Sequence, residues 1–104
     1  MDEIVIFITT PSQEEGEKLG QYLVENKLAA CANILPSIIS LFAWEGKLCR
    51  EQEALVILKS KRALFDKLTE EVKKRHRYSI PEIIALPLVA GFPDYLKWIQ
   101  KNTL

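Results

Sequence analysis

With 104 residues, the chain is long enough for one domain with a single modest core and too short for several. Its 14 basic and 14 acidic side chains cancel, which excludes the positive charge typical of nucleic-acid-binding domains, and 48% apolar residues exclude a disordered chain. No apolar run approaches the ~20 residues of a membrane span, and the start of the chain is acidic where a signal peptide is basic. We therefore expect one domain over residues 1–104, in the cytoplasm, with no membrane or nucleic-acid partner.

The first elements in chain order are a strand and a helix. The run Ile4–Ile8 is apolar and β-branched, which is typical of a strand covered on both faces. Ser12 is followed three positions later by Glu15, a capping-box pattern that predicts a helix ending near Asn26-Lys27.

A long hairpin is predicted next, with arms at Leu28–Trp44 and Leu48–Ser60 and a turn at Glu45-Gly46. The first arm begins with three alanines, a cysteine and an asparagine, which are too small to fill a core between a sheet and helices. Another backbone, or another subunit, is expected to come close there. Pro36 predicts a bulge or bend in this arm. The second arm is polar at first and apolar later, so the hairpin tip is expected to project beyond the core.

The two cysteines of the chain are predicted to lie far apart on this hairpin. A turn at Glu45-Gly46 pairs Cys49 with Phe42 and places Cys31 near Ser60, about 30 Å away at ~3.3 Å per residue. A disulfide requires Cα atoms within about 7 Å, so we predict no intrachain bridge.

The last third of the chain predicts a helix, a loop, a strand and a final helix. Ser60 is a candidate cap for the second helix, whose apolar face comprises Leu64, Phe65, Leu68 and Val72. The loop begins at His76, and Pro81 prevents helical continuation. A fourth strand is expected over Glu82–Val89, and a final helix carries Tyr95, Trp98 and Ile99 on one face.

The resulting order, βαββαβ with an added C-terminal helix, is that of an α+β, ferredoxin-like fold. In such a fold, helices cover one face of a four-stranded antiparallel sheet. An apolar second face on so small a chain predicts self-association.

His76 is the only histidine and a candidate ligand for a transition metal, because neutral imidazole binds copper, zinc or nickel well. The alternative is a loop histidine that caps helix carbonyls. Cys31 and Glu82 are candidate ligands beside it. The alternative for Cys31 is a small buried packing residue, and the alternative for Glu82 is an ordinary carboxylate on an edge strand. A proton competes with a metal for the imidazole, so binding through His76 should weaken as pH falls.

The sequence contains no GxSxG, phosphate-loop or HExxH motif, which disfavours an enzyme. Core or subunit packing is the better interpretation of the aromatic residues Trp44, Tyr78, Tyr95 and Trp98. No organic cofactor is expected.

The chain resembles the CutA family of divalent-cation tolerance proteins along essentially its whole length. The resemblance rests on Thr10-Pro11, the run Leu28–Ile34, Ser40 with Trp44-Glu45-Gly46, Lys59, the run from His76 to Ile83, and Tyr95–Ile99. It implies a homotrimer in which neighbouring subunits join through the long hairpins. It also implies a role in the response to divalent metal ions, with binding of Cu(II) or a similar cation, for which the candidate ligands in this sequence are His76, Cys31 and Glu82.

The same resemblance implies an alternative, because this trimeric architecture is similar to that of PII signalling proteins, which bind small effectors between subunits. For an anionic or nucleotide effector, the charged partners would be Lys59, Arg75 and Arg77. Trp44 and Tyr78 are further candidates for an effector site or an interface.

Several positions depart from the family pattern. The usual His-Pro-Tyr is His76-Arg77-Tyr78, and Phe42 stands where a tyrosine is common. Ile8 and Arg75 stand where some bacterial relatives have a metal-linked cysteine and a second histidine. A copper site built in that way would retain His76 alone, so it must recruit Cys31 or Glu82, across a subunit boundary if necessary.

Overall fold

A computed structural model describes residues 2–104. In chain order, its elements are β1 (Glu3–Thr10), α1 (Gln13–Glu25), β2 (Cys31–Trp44), β3 (Lys47–Lys61), a single 3₁₀ turn (Arg62–Leu64), α2 (Phe65–Arg75), β4 (Ile83–Pro87) and α3 (Pro93–Lys101). The predicted α+β class and the βαββαβ order with a final helix are confirmed. None of the helices in residues 2–104 has the length and hydropathy that a membrane span requires.

The four strands form one antiparallel sheet in the order β2-β3-β1-β4. Alternate side chains of the two central strands point to the same face, where they pack against α1 and α2. The buried residues of this layer include Ile4, Ile6 and Ile8 of β1, Val56 and Leu58 of β3, Leu19 and Leu23 of α1, and Leu68 and Val72 of α2. We call the opposite side of the sheet, which carries the other half of the strand residues, the open face.

Helix α1 begins where the capping pattern predicts. The Ser12 hydroxyl accepts a hydrogen bond from the Glu15 N–H and donates one to the Glu15 carboxylate. On the face towards the sheet, a Cβ placed on Gly20 would lie only 3.0 Å from that of Ala32 in β2. Part of the small-residue run is therefore explained within one chain, because it lets α1 approach β2 closely.

Near the turn, the residues of the two hairpin strands pair as predicted. Farther from the turn, the pairing is offset by one residue. Phe42 pairs with Cys49 as expected, and Glu45 and Gly46 at the turn both have positive φ. A bulge lies between Leu35 and Ile38, around the predicted Pro36. Beyond it, Cys31 pairs with Lys59, the residue next to the predicted Ser60, so the register has shifted by one. Both cysteines are free thiols.

The predicted helix cap at Ser60 is wrong. Ser60 is a fully buried residue of β3, and its hydroxyl donates a 2.6 Å hydrogen bond to the Leu28 carbonyl. Strand β3 continues to Lys61, and α2 begins only after the 3₁₀ turn. The hydroxyl donates to a buried carbonyl in the segment before β2, which would otherwise lack a partner. Ser60 therefore stays in the strand and does not cap α2. Strand β4 is also shorter than the predicted Glu82–Val89.

The hairpin projects from the core and gives the molecule its elongated shape, 45 × 26 × 23 Å. Large apolar side chains along it are exposed in the single chain: Leu35, Ile39, Leu41, Phe42, Trp44 and Leu48. Such an accumulation of exposed apolar side chains is unusual for a protein that remains monomeric.

We predict that Ser60→Ala lowers the free energy of unfolding by about 1–3 kcal/mol, because the Leu28 carbonyl would lose its buried hydrogen-bond donor. The measurement is urea denaturation at fixed protein concentration, with Ser79→Ala in the exposed loop as the matched control. Equal stability of the two variants would contradict the buried role of this hydroxyl.

Candidate functional site

A groove of about 930 Å³ lies between the β2–β3 hairpin and the loop formed by residues 77–82. Its aromatic lining is Phe42, Trp44 and Tyr78. Its polar lining residues include Cys49, Glu51, Glu53, Glu82 and Arg77. We call this concavity the hairpin groove. Four of the residues singled out from sequence, Trp44, Arg77, Tyr78 and Glu82, meet in it.

The loop that forms one wall is held by three side chains, each bonded to a different element. Arg77 donates two hydrogen bonds to the Glu15 carboxylate of α1, at 2.9 and 2.7 Å. This pairing lowers the pKa of Glu15. His76 bonds to Thr9 at the end of β1, and the Tyr78 hydroxyl donates to the Glu53 carboxylate of β3 at 2.8 Å. The wall of the groove is therefore tied to α1, β1 and β3.

His76, which directly precedes this loop, has both ring nitrogens in hydrogen bonds. Nε2 lies 2.7 Å from the Thr9 carbonyl, which can only accept, so Nε2 carries the hydrogen. Nδ1 lies 3.0 Å from the Tyr78 backbone N–H, which can only donate, so Nδ1 supplies its lone pair. The neutral imidazole is fully satisfied, and a metal ion could bind it only if one of these bonds were broken.

Cys31 lies on the open face of the sheet beside a positive charge. The Lys59 ammonium is 4.0 Å from its sulfur and also bonds to the Asn33 side chain. Tyr95 of α3 completes this group, and its pKa is raised by burial and by the neighbouring Cys31. An ammonium beside the thiol opposes the approach of a second cation.

The three predicted metal ligands do not meet in one chain. Cys31 is level with Lys59 and Val5 in the sheet, whereas His76 contacts Thr9, four residues further along β1. That offset alone is about 13 Å. Glu82 lines the hairpin groove, at the Thr9 end. Within residues 2–104, no group of three or more His, Cys, Asp or Glu side chains is placed to hold a metal ion.

The three basic residues predicted to bind an anionic effector all have partners within the chain. Lys59 bonds to Asn33, and Arg77 is paired with Glu15. The third, Arg75, donates to Glu71 at 3.0 Å, and its guanidinium lies 3.5 Å from the centre of the Tyr22 ring. Arg75 therefore joins α2 to α1 and does not line the hairpin groove.

Sequence reasoning missed the acidic wall of the groove. Cys49, Glu51 and Glu53 occupy alternate positions of β3, so their side chains share one face of the hairpin. This period-two pattern is visible in the sequence and would have revealed the wall. The burial of Glu53, with only 7% of its surface exposed, depends on Tyr78 from a distant segment and was not predictable locally. Burial and the bond to Glu53 raise the pKa of Tyr78 to about 12, so its phenol remains a neutral donor.

Comparison with known proteins gives matches along almost the whole chain. The model of the family described as "CutA1 divalent ion tolerance protein" matches residues 4–102. The protein named "Protein CutA, chloroplastic" of Arabidopsis thaliana is 45% identical over 100 residues, which are 96% of this chain and 55% of that protein. The chain thus spans about half the length of this plant relative.

Solved structures match equally well. The divalent cation tolerance protein (Cut A1) of Thermus thermophilus is 44% identical, with a TM-score of 0.95 over 97% of this chain and 98% of that one. The structure described as the periplasmic divalent cation tolerance protein CutA of Archaeoglobus fulgidus is 41% identical, with a TM-score of 0.93 over 96% and 97% of the two chains.

We predict that Tyr78→Phe destabilises the protein by about 1.5–3 kcal/mol, because the buried Glu53 carboxylate loses its hydrogen-bond donor. Thermal or urea denaturation measures the loss. Adding Glu53→Gln to Tyr78→Phe should recover part of it, since a neutral amide tolerates burial better than an unpaired carboxylate. A double variant less stable than Tyr78→Phe would contradict this account.

A second prediction concerns acid stability. The Tyr22 hydroxyl and Lys74 bond to Glu71 and lower its pKa to about 2. Because the folded pKa lies below the unfolded value, the stabilisation is present above about pH 4.5 and is lost as pH falls towards about 2. The melting temperatures of the wild type and of Glu71→Gln should therefore differ at pH 6 and converge near pH 2. Glu70→Gln, at the exposed neighbouring position, is the control, and a pH-independent difference for Glu71→Gln would contradict the prediction.

Proposed function

The chain belongs to the CutA1 divalent ion tolerance protein family, and from that premise we propose that it acts in divalent ion tolerance as a non-enzymatic homotrimer that binds Cu(II) or a similar ion. Family membership over residues 4–102 is the observation that carries the proposal. No organic cofactor and no catalytic activity form part of it.

Self-association is supported by the apolar surface of the hairpin. In the single chain, Leu41 is 65% exposed and Leu48 79% exposed, and both lie on strands that extend past the core. Burial of such side chains contributes about 25 cal/mol per Å² of apolar surface. A second and a third copy packed against the hairpins would remove this surface from water, and closed three-fold symmetry would leave no copy unpaired.

An ion site shared between copies agrees with the positions of the predicted ligands. Cys31 is offset from His76 by about 13 Å along the sheet, so a site that uses both of them must combine residues of two chains. Glu82 is the most available of the three, because it lines the acidic groove and is exposed, whereas Cys31 and His76 are half-buried. Cys31 has the Lys59 ammonium beside it, and His76 would have to release Thr9 or Tyr78.

The alternative, a PII-like module for an anionic effector, has less support. Each of its candidate cations is engaged within the chain, and the groove carries three carboxylates against one paired arginine. A negatively charged ligand would meet repulsion there. The predicted cytoplasmic location remains a prediction, since one relative is named chloroplastic and another periplasmic.

The test is native mass spectrometry of the full chain with sub-stoichiometric Cu(II), using Mg(II) as the control ion. We expect a trimer that takes up one Cu(II) per subunit and no Mg(II). A monomer would contradict the assembly, and copper loading that does not saturate would contradict a specific site.

Variants then assign the ligands. Glu82→Gln and Cys31→Ser are each expected to weaken Cu(II) binding by at least about tenfold, the loss typical of a removed ligand contact. Cys49→Ser, which removes the other thiol, is the matched control and should bind as the wild type does. Because His76→Ala also removes the bonds to Thr9 and Tyr78, it is informative only if its melting temperature is unchanged. Copper binding unaffected by all three ligand variants would overturn this ligand set.

A further inference from the structure

We draw no further inference here: the strongest candidate, the side-chain cluster of Cys31, Asn33, Lys59 and Tyr95 on the open face of the sheet, centres on one cysteine that already belongs to the proposed ion site, and nothing in the structure shows what covers that face.

Discussion

Pairing of β1 with the second half of β3 is the constraint on which the other features depend. Residues 3–10 of β1 pair with residues 54–61 of β3, and the alternate apolar side chains of both strands build the core under the helices. The first half of β3 has no such partner, so it extends past the core with β2 as a two-stranded arm. An isolated hairpin of this kind is marginally stable in water, which is why it is held at its base by the sheet and exposes apolar side chains towards the tip.

The segment after α2 shows how one loop is positioned by residues far away in sequence. Its bonds to Glu15, Thr9 and Glu53 reach α1, β1 and β3, so the groove wall depends on the packed core. This arrangement changes the interpretation of His76. The histidine predicted as a metal ligand also ends α2 and holds the loop, with both ring nitrogens in use.

The charge of the groove distinguishes between an anionic and a cationic ligand, which the residue types in the sequence do not. The sequence contains enough basic residues for an anion site, but their partners are Glu15, Glu71, Tyr22 and Asn33. The carboxylates of the hairpin, in contrast, face the groove. The sign of the local charge therefore depends on which side chains are already paired, and among the residues that line the groove the unpaired excess is negative.

Local patterns were sufficient for the class of fold, the order of the elements, the start of α1, the hairpin turn and the bulge near Pro36. These follow from interactions within a few residues: a capping box, a positive-φ turn and a break in strand pairing. The role of Ser60, the one-residue register shift at Cys31 and the burial of Glu53 were decided by the tertiary structure, because each depends on a partner between 25 and 32 positions away. The sequence by itself determined what kind of strands and helices form and which family they resemble. Only the packed structure decided which polar groups are satisfied within the chain and which remain available to a ligand.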